Sequence, residues 1–176
     1  MSVPVEFSRP VRVETLPRDG LRQKIAANEA ERAALALRYN LPAVDSLEAE
    51  LIVKRSGRGV RVTGEARAHV MQTCIVSLEP FPADVVEEVD VRFAPPSAER
   101  RKPPPEGEEL RLAVEDEPDP LIDNTVDLGE VAAEFIALGL DPYPRKPGVA
   151  FEEPEPEAEP TPFAVLAALR ASKEGK

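Results

Sequence analysis

Two side chains in this sequence could begin nucleophilic chemistry: the lone cysteine, Cys74, and the lone histidine, His69. Covalent catalysis needs a nucleophile, a base within hydrogen-bond reach and a group that orients the base. Positions 69 and 74 project to opposite faces of an unbroken strand, because side chains alternate along it. The pair therefore reads as a half-buried cysteine and an exposed histidine rather than a dyad. A closed zinc site usually takes four Cys or His ligands, and the chain offers these two. Carboxylates are plentiful but stand in solvated runs, and neither a Walker A loop nor a dinucleotide glycine pattern occurs. No catalytic residue, metal site or cofactor is expected; the chain should act by binding, not as an enzyme.

Two segments carry chemistry suited to binding. Lys54, Arg55, Arg58, Arg61 and Arg67 fall within 14 residues that contain only Glu65 as an opposing charge. A period of two puts Arg61, Arg67 and His69 on one face, away from Val60 and Val62. Such a face can meet RNA phosphates. It can equally be a solvated sheet face with cross-strand pairs to Glu88 or Asp90, and no aromatic interleaves the charges to stack on bases. The second segment is C-terminal, where Phe163, Val165, Leu166 and Leu169 form a short apolar helix behind an acidic, proline-rich stretch. That helix can dock a partner in a groove, fold back onto its own domain, or end a solubilising tail.

Charge is unevenly spread. Residues 1–94 hold 13 basic and 14 acidic side chains, residues 95–176 hold 9 and 19, and the whole chain carries a net −11. A field of that sign repels phosphate backbones except at a local basic patch, and it suits a basic protein partner or solubility alone. A single cysteine allows no internal disulfide. The N-terminus lacks the basic-then-apolar layout of a secretory signal. No apolar run approaches the roughly 20 residues of a membrane span, so the cytoplasm is the expected location.

The elements that position these residues follow from periodicity. Val3, Val5 and Phe7 alternate with polar residues and predict a strand, with Pro10 at an edge. Asn28 and Glu31 form a capping pair for a helix through Arg38 that ends at Leu41-Pro42. Leu47, Ala49, Leu51 and Val53 alternate with polar positions, as do Val60, Val62, Gly64, Ala66, Ala68 and Val70. Between them Ser56-Gly57-Arg58-Gly59 supplies the turn of a hairpin. A third strand runs from Val85 to Phe93, completing an antiparallel meander with one covered face. Residues 94–120 read as a long, charged, proline-rich loop in which Leu110, Leu112 and Val114 can add an edge strand. Asp127 caps a second helix with Glu130 at the capping-box position and Leu128, Val131, Ala132, Phe135 and Ile136 as its apolar stripe. The globular domain spans residues 1–147, followed by an acidic linker over 148–160 and the terminal helix over 161–176.

The segment Gln72-Thr73-Cys74-Ile75-Val76-Ser77-Leu78-Glu79-Pro80 resembles the "C-x-x-C-L-E-P" stretch of the YceD-like family, the large ribosomal RNA subunit accumulation proteins. The order of features is similar too. A basic hairpin precedes that stretch, a valine-rich strand and an acidic loop follow it, and Asp127-Leu128-Gly129-Glu130 with Glu134 matches the family's "Asp-Leu-x-Glu…Glu" helix. Leu138-Gly139-Leu140-Asp141-Pro142 matches its Leu-x-Leu-x-Pro end. Ser77 stands where the second cysteine would be, so a C-x-x-C metal or redox pair cannot form in this chain. For this segment there remains a structural role, with Leu78 as a core residue and Glu79-Pro80 as a strand-ending turn.

The expected fold is α+β: an antiparallel sheet of about four to six strands, able to curl toward a barrel, packed with two helices and followed by a flexible acidic C-terminal extension. The resemblance implies an accessory factor in large-subunit ribosome biogenesis; either the Lys54–Arg67 hairpin binds the large-subunit ribosomal RNA precursor, or the acidic C-terminal half holds a basic large-subunit ribosomal protein. The competing reading is an adaptor unrelated to ribosomes that recruits its partner through the C-terminal helix.

Overall fold

The structure, a computed structural model, describes residues 5–96 and 118–151. Its centre is a hairpin of two long strands, β3 (Ala43–Ser56) and β4 (Gly59–Thr73). Ser56 pairs with Gly59, leaving Gly57-Arg58 as the two-residue loop. Gly57 has φ +58°, the left-handed conformation that such a hairpin loop demands. Alternation then buries Leu47, Ala49, Leu51 and Val53 from one strand and Val60, Val62, Ala66, Ala68 and Val70 from the other. Each fully buried Leu or Val in this row contributes on the order of 1.5–3 kcal/mol.

Two further strands flank the hairpin. β2 (Leu21–Ala26) runs antiparallel to β3, and β5 (Pro80–Ala94) antiparallel to β4 along its whole length. The two-residue β6 (Asp119–Pro120) adds in parallel to the end of β5, so the order is β2-β3-β4-β5-β6. A separate pair joins β1 (Pro10–Arg12) to β7 (Thr125–Asp127). The two helices, α1 (Glu29–Tyr39) and α2 (Leu128–Gly139), bury Leu35, Leu128 and Ile136 in the same core as the sheet's apolar face. Tyr39 ties them together, its hydroxyl donating to the Ala133 carbonyl at 2.7 Å. Burial pushes the Tyr39 hydroxyl up to about 12, so it stays a donor.

Local chemistry accounts for the helix ends. The Asn28 side chain accepts from Glu31 N at 3.0 Å, and the Glu31 carboxylate accepts from Asn28 N at 2.8 Å, closing a capping box. Asn40 stops α1 in the left-handed conformation at φ +55°. Asp127 caps α2, its Oδ1 accepting from Gly129 N at 3.0 Å and Glu130 N at 3.3 Å.

Four expectations need correction. The sheet is open and does not curl into a barrel: β2 and β6 are its two edges and do not pair. The helices cover its apolar face, so closure is not needed to bury it. Residues 5–9 are not strand; Phe7 is fully buried, and the strand begins at Pro10. Leu78 is not a core residue but 75% exposed at φ +59°. Its N–H donates to the Cys74 carbonyl at 2.9 Å, and that tight turn throws the side chain outward. Cys74 itself is fully buried rather than half-buried. Leu110, Leu112 and Val114, the linker and the terminal helix with Phe163, Val165, Leu166 and Leu169 lie outside the described residues.

Candidate functional site

The face of the sheet turned away from the helices carries the charges, and the hairpin register sets them in rows. At the turn end Lys54 pairs with Arg61, which pairs with Arg92. One step on, Arg22, Ile52, Thr63 and Asp90 align across β2, β3, β4 and β5. Next comes Lys24 beside three carboxylates, Glu50, Glu65 and Glu88, directly opposed on β3, β4 and β5. Beyond it lie Glu48, Arg67 and Val86, then Ser46, His69 and Asp84.

The basic residues named from the sequence are spread across this surface, and several are already engaged. Arg61 holds Asp90 with two nitrogens, Nε to Oδ1 at 2.7 Å and Nη2 to Oδ2. This raises the guanidinium's pKa and lowers that of Asp90. Arg67 pairs with Glu65 on its own strand. Arg55 turns off the face altogether and donates to the Val13 carbonyl at 2.7 Å. Lys54, its stem lying against Gly20, and Arg58 in the turn have no ion pair among the described residues. Of the three carboxylates in the opposed row, Glu50 is met by Arg22 at 3.2 Å and Lys24 at 3.1 Å and Glu65 by Arg67, while Glu88 has no ion pair among the described residues.

His69 and Cys74 do not form a dyad. His69 Nδ1 lies 2.7 Å from Asp84 Oδ1, with Asp45 at 3.9 Å from Nε2, and the hydrogen bond that the ring donates to Asp84 raises its pKa. Cys74 sits in the turn between β4 and β5, where Ser77 N donates to its Sγ at 3.5 Å. Hydrogen bonds from Ser77, with one from the Lys146 backbone, outweigh burial and bring the thiol down to about 6. The same turn holds the chain that follows α2: Ile75 N donates to the Pro144 carbonyl at 2.9 Å, and Lys146 Nζ lies 2.7 Å from Glu79 Oε2. Pro80, the last residue of the matching stretch, opens β5.

On α2, Leu128 is buried at the first turn, Glu130 is partly covered and Glu134 faces outward. Burial and neighbouring Glu130 raise the Glu134 pKa. Glu134 and Arg61 come together in a groove of about 560 Å³ between α2 and β5, beside Asp90, Asp119 and Leu138. Its walls carry charges of both signs. Among the described residues no cluster of His, Cys, Asp and Glu could hold a metal ion, and no helix is long and apolar enough to cross a membrane.

The carboxylate row is the feature that strand reading alone passed over. Its signal was present: a two-residue loop at Gly57-Arg58 fixes the pairing of Ser56 with Gly59, and that register sets Glu50 against Glu65.

A family model described as "Large ribosomal RNA subunit accumulation protein YceD" matches residues 62–170, more than half of the 176 residues. The chain belongs to the YceD family. The matched YceD region begins inside β4, takes in the Cys74 turn, β5 and α2, and reaches the C-terminal apolar segment. The YceD name links it to accumulation of large-subunit ribosomal RNA. No curated protein and no solved structure matches the chain.

Proposed function

We propose that this YceD-family chain is a non-catalytic accessory factor of large-subunit assembly whose open sheet face holds a basic large-subunit ribosomal protein. The observation that carries this reading is the row Glu50–Glu65–Glu88. Like charges placed directly opposite one another destabilise a sheet. Arg22 and Lys24 offset that repulsion at Glu50 and Arg67 does so at Glu65, while Glu88, with no ion pair among the described residues, leaves a place in the row for a partner's cation. The net charge of −11 draws such a partner in and repels RNA phosphates. Two of the hairpin's guanidinium groups, Arg61 and Arg67, are already held by Asp90 and Glu65.

A second reading rests on Lys54 at the end of β3 and Arg58 in the turn, which offer the precursor RNA a cationic tip. Complementation separates the two. In cells lacking the gene, Glu50→Lys with Glu88→Lys should fail to restore large-subunit RNA levels, while Lys54→Glu with Arg58→Glu restores them. The reverse pattern would favour the RNA reading, and full complementation by both would remove the open face from the function.

A further inference from the structure

We propose that residues 163–170, the apolar segment beyond the described chain, dock in cis into the groove between α1 and the start of β3. That groove measures about 490 Å³ and is walled by Ala33, Leu37, Leu41 and Pro42, with Glu29, Asp45 and Arg32 as its charged lining, the Arg32 Nη1 donating to the Ala27 carbonyl at 2.9 Å. Leu37 is 85% exposed in the last turn of α1, whose opposite side is core, and with Leu41 and Pro42 it gives the groove an apolar wall. Beneath the groove β3 runs on past β2, whose register begins at Glu48 and beyond which Ala27 N donates to the Leu47 carbonyl at 3.0 Å.

The occupant follows from where the chain goes. After α2 it crosses to the end of the sheet held by the Cys74 turn, where Gln72 Nε2 donates to the Asp141 carbonyl at 3.1 Å and Lys146 meets Glu79. The mouth of the groove lies at that same end, since Ala43 pairs with Met71 on the neighbouring strand. From Phe151 to Phe163 the chain can extend about 40 Å, many times the ~5 Å between adjacent strands. Phe163, Leu166 and Ala167 recur at helical spacing and suit the Leu37–Leu41 wall. Arg170 and Lys173 follow them and complement Glu29 and Asp45. Residues 163–169 also lie within the matched YceD region, so the segment is part of what the family shares.

Hydrogen exchange on the full-length protein tests this. Amides of residues 163–169 should exchange at least about tenfold more slowly than an unstructured chain, independently of protein concentration. Leu37→Glu, at an exposed position that leaves the core intact, should abolish that protection, and Asp45→Lys should weaken it. Unprotected amides in the parent protein would overturn the proposal. So would protection that survives Leu37→Glu, which would place the segment elsewhere, or protection that fades on dilution, which would make the occupant's host a second copy.

Discussion

Arg61 on β4 grips Asp90 on β5 through both Nε and Nη2, one strand pair away from the hairpin turn. One cation of the basic hairpin is thereby neutralised by its own sheet. Replacing Asp90 with Asn should free it. Non-specific RNA binding should strengthen relative to the parent protein, and the slope of log affinity against log salt should steepen by about one contact. An unchanged slope would show that Arg61 is out of reach of phosphate whatever its partner.

Asp127 joins three parts of the fold. It caps α2, and it also accepts from Arg9 N at 2.6 Å and from the Ser8 hydroxyl, fastening the N-terminal segment over the helix. Asp127→Ala should cost about 2 kcal/mol, the upper range for loss of a helix cap, measured by urea unfolding. Asp127→Asn, which keeps a capping oxygen, should cost less than half as much. Equal losses would mean that the charge, and not the cap, matters.

His69 and Asp84 give the open face a pH dependence. Because the folded protein holds the histidine pKa above its ordinary value, the pair stabilises the fold fully below that ordinary value. The contribution is lost as pH rises through the elevated folded value. The ring's titration, followed by NMR, should have its midpoint above about 6.5, and Asp84→Asn should lower it. A midpoint indifferent to Asp84 would contradict the pairing.

Cys74 should be largely thiolate at neutral pH despite its burial. Its folded value of about 6 lies below the ordinary cysteine range, so the stabilisation exists above the unfolded value and disappears as pH falls through about 6. Thiolate absorbance should show that midpoint, and Ser77→Ala should raise it. A midpoint near 8.5, the unperturbed value, would mean that burial prevails over the Ser77 hydrogen bonds.

Much of this architecture is legible in the chain because its signals are local. Asn28 and Glu31 announce α1, Asp127 announces α2, and Gly57-Arg58 between two alternating runs announces the central hairpin. The family resemblance was legible as well, from the Cys74 and Asp127 motifs. What escaped was set by tertiary context. β2 is short, and its alternation of Leu21, Gln23 and Ile25 with Arg22 and Lys24 becomes a strand only against β3. Leu78 looked like core because it is apolar, yet its side-chain direction is fixed by a left-handed turn that no period-two pattern encodes. Arg55 has the charge of a basic-face residue, but the neighbouring turn of helix at Val13–Thr15 presents it with the Val13 and Glu14 carbonyls, 42 and 41 residues away in the chain.

The central claim is that the open face binds a basic protein through Glu50, Glu65 and Glu88. Affinity capture with the full-length chain from nuclease-treated lysate, compared with the Glu50→Lys, Glu88→Lys double variant, tests it most directly. The account predicts that a basic large-subunit protein is captured without RNA and that the double variant loses it by about tenfold or more, as for removal of close interfacial charge pairs. Capture that nuclease abolishes, and that Lys54→Glu with Arg58→Glu removes while the double variant retains it, would contradict the claim.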